Sequence, residues 1–340
     1  MRAAVENWLV RHWYGDHRPP WYLRALEPAY RFGFSRAQNR ARQDKRSYRP
    51  PLPLIVVGNL TAGGAGKTPL VIRLCQLAVD MGLKPGIATT GYGRKGKQTS
   101  LVRAGDDAAT CGDEPVLLAR RTGVPVAVAA ERLEAVKMLA EMGLDLVLSD
   151  DGLQHAALER DIEVCVVDGE RGFGNGHLIP AGPLREPVAR LGSVDYVIAN
   201  GEGPGNDQLA GVDTMHVDAY VVRSVDDQKM YPVEEFASMC GQVAVHAVAG
   251  IGNPGRFFRL LEDLGIKAEA SVFPDHYAYS VSDFASFEPG SAIIMTEKDA
   301  VKCRSMGLEN AWYIPVEARL PETFEQRFTR HLARLTGREQ

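Results

Sequence analysis

Cysteine is scarce and unpaired in this chain: five residues (Cys75, Cys111, Cys165, Cys240, Cys303) lie scattered through 340, with no Cys-x-x-Cys spacing. That pattern argues against a disulfide framework and against a sulfur-ligated metal, and with no secretory leader it suits a reducing compartment. Long apolar runs are missing too. No stretch approaches the roughly 18 residues of a spanning helix, and the N-terminus lacks the uninterrupted apolar core of a signal peptide. No repeat of fixed period is present either, which removes solenoids and propellers. What remains is a chain 45% hydrophobic, enough to bury one large core or two smaller ones. A nucleotide domain with a second lobe is expected.

A strong net charge is also absent, but the total of −4 hides an asymmetry. Residues 1–50 hold ten Arg and one Lys against four acids, a balance of +7, and leave −11 to the rest. The same segment holds Trp8, Trp13 and Trp21, with Tyr14, Tyr22, Tyr30, Phe32 and Phe34 interleaved. Rings among arginines suit the headgroup layer of an anionic membrane. They also suit RNA, by stacking and phosphate contact, or a helical hairpin packed on the main body.

From Leu54 onward short apolar runs alternate with helical spacing, the pattern of a parallel sheet with crossover helices. Strands are expected at Leu54–Val57, Pro85–Thr89, Val124–Ala129, Asp145–Ser149, Ile162–Val167 and Tyr196–Ala199, with helices at Thr68–Met81, Glu114–Arg121 and Ala130–Met142. The Gly/Pro-rich stretch Asn200–Asn206 reads as a linker or an exposed loop. A second series then follows: a strand at Val243–Val248, a helix at Pro254–Leu264, a strand at Ile293–Thr296 and a closing helix at Phe324–Leu335. The expected division is a basic, aromatic helical segment over 1–50, a nucleotide-binding core over 51–200 and a second lobe with its closing helix over 201–340.

The run Gly58-Asn59-Leu60-Thr61-Ala62-Gly63-Gly64-Ala65-Gly66-Lys67-Thr68 directly follows the first apolar strand and reads as a phosphate-binding loop. Glycines let backbone N–H groups turn toward a polyphosphate, Lys67 reaches the outer phosphates, and the Thr68 hydroxyl can ligate Mg²⁺. The helix after it directs its N-terminal dipole at the anion. The general pattern asks for a glycine where this chain has Thr61. A second signal is Leu146-Val147-Leu148-Ser149-Asp150-Asp151, an apolar strand ending in carboxylates. An acid in that position can hold Mg²⁺ opposite the phosphate loop, and two adjacent carboxylates repel unless a cation lies near.

Gly112-Asp113-Glu114-Pro115 opens a helical pattern. Asp113 is either an N-cap or a general base, since a sugar hydroxyl is a poor nucleophile until a carboxylate or imidazole takes its proton. Arg185, in Gly182-Pro183-Leu184-Arg185-Glu186, could neutralise a transferring phosphoryl group, Glu186 could join the metal shell, and His276 could orient a carboxylate. Thr296-Glu297-Lys298-Asp299 superficially matches the guanine reader of GTPases, but Lys298 and Asp299 are adjacent where that motif needs an intervening residue. ATP is therefore favoured over GTP.

Together these residues resemble the tetraacyldisaccharide 4′-kinase family of lipid A biosynthesis, over nearly the whole chain. The resemblance rests on Val57–Thr61 with Gly63-Gly64-x-Gly66-Lys67-Thr68-Pro69, on Gly91-Tyr92-Gly93, on Gly112–Pro115, on Asp150–His155, on Pro180–Glu186, on Ala249–Pro254 and on Met295–Cys303. Thr61 is what this family itself carries at that position. The resemblance implies an α/β fold with a P-loop NTPase-like, mostly parallel sheet flanked by helices, a smaller second α/β lobe and an N-terminal segment that associates with membrane. It implies transfer of the γ-phosphoryl of Mg-ATP to the 4′-hydroxyl of tetraacyldisaccharide 1-phosphate, at the cytoplasmic face of the inner membrane. Thr61, Ala62, Gly63, Gly64, Ala65, Gly66, Lys67 and Thr68 then hold ATP; Thr68, Asp150, Asp151 and Glu186 hold Mg²⁺; and Asp113 is the base, with His276 beside it and Lys67 and Arg185 as catalytic cations. Asn59, Tyr92, Glu114, Gln154 and His155 fall on the substrate side. Neither nucleic acid nor an obligate protein partner is implied. Where the family commonly has Ser-Arg before Gly-Tyr-Gly, this chain has Thr89-Thr90, so that positive charge is either missing or supplied by Arg94 or Lys95. The rival reading is a P-loop NTPase switch driven by a protein partner.

Overall fold

A computed structural model describes residues 2–15, 18–43, 48–94, 96–205, 209, 211–241 and 243–338. Helices α1 (Arg2–Tyr14) and α2 (Trp21–Gln43) lead into β1 (Leu54–Gly58), α3 (Lys67–Asp80), β2 (Pro85–Thr89), β3 (Ser100–Val102), α4 (Ala108–Cys111), α5 (Asp113–Thr122), β4 (Val126–Val128), α6 (Arg132–Ala140), β5 (Leu146–Asp150), β6 (Ile162–Asp168), β7 (Tyr196–Asn200) and β8 (Asp213–Asp218). The chain continues through β9 (Val221–Ser224), β10 (Met230–Pro232), α7 (Val233–Cys240), β11 (Val245–Ala249), α8 (Pro254–Asp263), β12 (Glu269–Val272), β13 (Ala292–Thr296), α9 (Glu297–Cys303), β14 (Ala311–Ile314), β15 (Glu317–Arg319) and α10 (Glu322–Leu335).

Among the described residues, nine strands form a sheet in the order β15-β8-β7-β6-β1-β5-β2-β4-β3. It is parallel except where β3 meets β4 and β15 meets β8 at the two edges. The central strands are buried on both faces, which explains why they read as continuous apolar runs. One face packs under α3, α5 and α10, through Leu70, Leu74, Val116, Leu118, Phe324 and Phe328. The other packs under α6 and the long loops around Phe173 and Leu184. A second sheet, β10-β9-β14-β13-β11-β12, is parallel over β11 to β14 and carries α7 and α8 on its own core.

The division expected at residue 200 does not follow the sheets. β8, β15 and α10 lie beyond that point in sequence, yet they extend and cover the first sheet. Only the chain between them, roughly β9 to β14, forms the second lobe. Of the two readings of Asn200–Asn206, a loop fits the described residues: Asn200 ends β7, Glu202 and Pro204 are exposed, and Gly205 N donates to the Gly169 carbonyl at 3.0 Å, where no Cβ would fit. Asn206 and the candidate cation Lys95 lie outside the described residues.

The N-terminal hairpin divides its aromatics between packing and solvent. In α2 the partly buried positions Leu23, Glu27, Tyr30, Phe34 and Gln38 recur at helical spacing and face the body. Glu27 binds His177 Nδ1 at 2.9 Å, the Tyr30 hydroxyl donates to the Arg185 carbonyl at 3.1 Å, and Gln38 donates to the Gln154 carbonyl at 2.8 Å. The opposite side leaves Trp21, Tyr22, Leu26 and Phe32 exposed among Arg24, Arg31, Arg36 and Arg40. No described helix is long and apolar enough to cross a membrane.

Candidate active site

Loops at the carboxyl ends of the strands of both sheets meet in one crevice, the place where open α/β sheets bind ligands. From the first sheet come the phosphate loop after β1, Asp150 at the end of β5, Asp168 at the end of β6 and Asn200 at the end of β7. From the second come Gly250–Asn253 after β11, Asp275 and His276 after β12, and Lys298 just inside α9.

The phosphate loop is held by shape as much as by sequence. Gly66 caps α3 with φ +83°, and a Cβ there would stand 1.9 Å from Asn200 Nδ2, which donates to the Ala65 carbonyl at 3.0 Å. Gly252 of the second lobe approaches so closely that a Cβ on it would lie 2.8 Å from Gly64 N. The loop's entry is pinned by Pro183–Arg185: Ala62 N donates to Pro183 O and Arg185 N to Leu60 O, each at 2.7 Å, with a bridge between Thr61 and Leu184. Residues Gly63 and Gly64 remain open to solvent, while Thr61 and Ala65 are buried scaffold. The Tyr14 hydroxyl reaches the Ala62 carbonyl at 3.3 Å, so α1 also touches this loop.

Lys67 Nζ stands 3.0 Å from Asn59 Oδ1 and 3.0 Å from Asp151 Oδ1. Asp151 adopts φ +55° and also faces Arg185 Nη1 at 3.4 Å. Burial opposes its ionisation, but Lys67 and Arg185 outweigh it and hold the carboxyl well below the usual range. Asp150 is different. Its register beside Val57 places it next to the phosphate loop, it is buried, and its Oδ1 has no partner. Burial, helped by the negative charge of Glu114, pushes its pKa up to about 7. An orphaned hard oxygen whose ionisation is starved of positive charge fits Mg²⁺. Among the described residues no three His, Cys, Asp or Glu side chains form a ready cage. Mg²⁺ asks for less, since it takes one or two carboxylates and fills its shell with water and phosphate oxygens.

Asp113 is the first residue of α5 and is 5% exposed. His276, held at φ +58°, presents Nδ1 to its two carboxylate oxygens at 3.0 and 3.1 Å. Burial acts to raise the Asp113 pKa, but the His276 hydrogen bond and the Lys298 charge prevail and keep it below the usual carboxylate range. For His276 burial acts downward, and the bond to Asp113 overrides it and raises the imidazole. The Gly91-Tyr92-Gly93 turn packs on Gly112, with Gly91 at φ +60°, and sets the Tyr92 ring 4.9 Å from that of His276.

Several expected site residues have other company. Glu186 accepts from Gln154 Nε2 at 2.9 Å and faces Arg190 at 3.6 Å. Gln154 also donates to the Asn59 carbonyl at 3.1 Å, and Asn59 is fully buried with Nδ2 on the Thr61 carbonyl at 2.9 Å. Both brace the phosphate loop, Asn59 from within and Gln154 from a half-buried position beside it. Glu114 is held by Lys298 at 3.1 Å, and His155 sits exposed on the rim. Arg94 turns to the Gln98 carbonyl at 2.8 Å. Two residues escaped the sequence reading. Arg132, first in α6 and 2% exposed, lies near Asp150 and Asp151 with Nε and Nη1 unpartnered. Lys298 stood in a rejected GTPase motif and in the Met295–Cys303 stretch of the family resemblance, in neither case with a role. Its partners are up to 185 positions away, and no local pattern announces them.

The tetraacyldisaccharide-1-P 4′-kinase family matches residues 19–333. A tetraacyldisaccharide 4′-kinase of Alcanivorax borkumensis is 46% identical over 94% of this chain and 95% of its own, and one of Hahella chejuensis is 45% identical over 96% and 97%. One of Pseudomonas aeruginosa is 43% identical over 97% and 98%. Among solved structures, LpxK of Aquifex aeolicus in complex with ATP superposes with a TM-score of 0.70 at 27% identity, over 92% of this chain and 98% of that one. An ATP-binding crevice between two lobes, built on a match this long, has one reading: the chain belongs to the tetraacyldisaccharide 4′-kinase family.

Proposed function

We propose that the crevice transfers the γ-phosphoryl group of ATP to the 4′-hydroxyl of tetraacyldisaccharide 1-phosphate, with Asp113 as the base. The observation that carries this reading is the ionised, buried Asp113 carboxylate, oriented by His276 Nδ1 and facing the crevice that the phosphate loop enters from the other side. Asp113 accepts the hydroxyl proton as the acceptor oxygen forms its bond to phosphorus. The bond from phosphorus to the β,γ-bridging oxygen breaks, and its electron pair leaves with ADP. Loop N–H groups from Gly63 to Thr68 hold the phosphates. Lys67 exchanges Asp151 for phosphate oxygens, which frees that carboxylate. Thr68, Asp150 and Asp151 are the residues to hold Mg²⁺, which when bound neutralises charge on the β- and γ-phosphates. Arg185, with the unpartnered N–H groups of Arg132, adds positive charge along the path of transfer. Tyr92 stacks beside His276 at the acceptor's entrance.

The exposed rings and arginines of α2 support a peripheral seat on the anionic, cytoplasmic surface of the inner membrane, from which an acylated acceptor is drawn. The switch reading, which needed a protein partner in place of an acceptor, gives no part to the Asp113–His276 pair, whereas a hydroxyl that must lose its proton does.

The decisive assay follows radiolabelled γ-phosphate from ATP into tetraacyldisaccharide 1-phosphate in mixed micelles, with Asp113→Ala as control. Transfer that falls by about 10²–10⁴ in the variant, at little change in ATP affinity, is expected. Near-normal turnover in the variant would sink the base, and acceptor-independent hydrolysis without transfer would sink the kinase.

A further inference from the structure

The segment Thr296-Glu297-Lys298-Asp299 crosses from β13 into α9, and two of its residues are occupied in building that turn. The Thr296 hydroxyl caps α9 by accepting from Asp299 N at 3.2 Å. It donates to the Asp299 carboxylate at 2.6 Å, and that carboxylate also receives Gly250 N at 3.0 Å and pairs with Lys302 at 2.7 Å. Glu297 reaches across to Arg121 near the end of α5 at 2.7 Å. Lys298 is left facing the start of α5, with its side chain 15% exposed. Its ammonium lies 3.1 Å from Glu114, 3.3 Å from Asp275 and 4.0 Å from Asp113. It also lies 3.4 Å from His276 Nε2.

That last contact decides a proton. An ionised carboxylate only accepts, so His276 Nδ1 must carry the hydrogen in its bond to Asp113. An ammonium only donates, so its approach to Nε2 requires a lone pair there. Asp275 Oδ1, 3.8 Å from Nε2, favours a proton there, but once the imidazole is neutral the tautomer protonated at Nδ1 is the one that satisfies Asp113 and Lys298 together. The other groups around the pair are Glu114 beside Asp113 on α5, Asp275 in the histidine's own loop, Lys302 on α9 and the Tyr92 ring. Of these, Lys298 alone touches both His276 and the carboxylates that flank it.

We propose that Lys298 is a positioning residue for phosphoryl transfer: donating to Nε2, it fixes His276 as the Nδ1–H tautomer and keeps Asp113 the ionised member of the pair, so that the acceptor proton goes to Asp113. The proposal rests on the reading of Asp113 as base. It also gives the seam between lobes a purpose, because Glu297 and Lys298 grip α5 at its two ends and hold the base from the opposite lobe.

The test uses the full chain, Mg-ATP and tetraacyldisaccharide 1-phosphate in mixed micelles, with Lys298→Met, Lys298→Arg and Asp113→Asn. In Lys298→Met, kcat falls by about tenfold or more while KM for ATP stays within about twofold. The acid limb of the kcat–pH profile moves upward, since removing a neighbouring cation raises both protonation steps of the coupled pair. Nitrogen NMR of His276 shows the Nδ1–H tautomer losing its dominance, and Lys298→Arg restores the limb and the tautomer. Lys298→Gln, which keeps a donor without the charge, takes the place of Lys298→Met if burying three carboxylates without a cation prevents folding, and it should shift the limb in the same direction. A folded variant whose acid limb and His276 nitrogen shifts both match the native protein would overturn the proposal. Full turnover in Asp113→Asn would remove the base itself, a failure separate from the Lys298 contact because the nitrogen shifts report that contact directly.

Discussion

Gly66→Ala puts a single methyl group where the phosphate loop turns into α3, and the structure allows its cost to be assembled. The position has φ +83°, where a side chain adds about 1–2 kcal/mol. The new Cβ would sit 1.9 Å from Asn200 Nδ2, so the amide must leave. Asn200 is 2% exposed and donates to the Ala65 carbonyl, so its departure leaves buried polar groups unpaired at about 1–3 kcal/mol. The sum is about 2–5 kcal/mol, felt partly as stability and partly as a loop displaced from its phosphate-binding shape. Urea unfolding and the KM for ATP should both worsen. The sharper test is a cycle with Asn200→Ala, which removes the obstructing amide in advance. The double variant should be more stable than the two single losses predict by about 1–3 kcal/mol, the part that came from the collision. Strict additivity, or a Gly66→Ala protein with native stability and KM, would refute this account of the turn.

Phe328→Ala should destabilise the protein by about 3–5 kcal/mol despite its place near the end of the chain, because the ring is fully buried against the first core. A loss under about 1 kcal/mol in urea would show that α10 is not part of that core. Stability should also depend on pH through His276. Its folded pKa is raised, so its contribution is complete below about 6.5 and is lost as pH rises through the folded value. The difference in urea midpoint between the native protein and His276→Gln should therefore shrink from pH 6 to pH 8.5, and a constant difference would contradict the raised value. Finally, Trp21→Ala with Phe32→Ala should weaken binding to anionic vesicles at unchanged KM for ATP in detergent, since both rings face solvent. Undiminished vesicle binding would move the membrane contact off α2.

The parts of the fold that were legible are those whose physics is local. β1, β5 and β6 are sandwiched between layers and read as unbroken apolar runs, so their positions follow within a residue or two. β3, β12 and β15 are three or four residues long and partly exposed, too short for an apolar pattern to mark them. β8, β15 and α10 show a different gap: the last has clear helical spacing, but which sheet an element joins is decided by partners far along the chain. The same distinction runs through the site. Lys67 and Asp150 stand in motifs whose chemistry follows from spacing. Lys298 and Arg132 act on groups that only folding brings near them, and Gln154 and Glu186, both polar and both within motifs, are hydrogen-bonded to each other across 32 positions. His276 carries little meaning on a Pro-rich loop until a positive φ points its ring at Asp113.

The return of the chain to its first sheet sets an order on synthesis. On a ribosome, β1 and its phosphate loop emerge early, yet the apolar underside of α3 waits for Phe324, Phe328 and Leu332, which come only with the closing helix. The intervening lobe can assemble its own core during that interval, because its strands pair among themselves. The nucleotide core cannot, and so a chain that has not yet reached α10 leaves an incomplete apolar α/β layer exposed to aggregation and to chaperones.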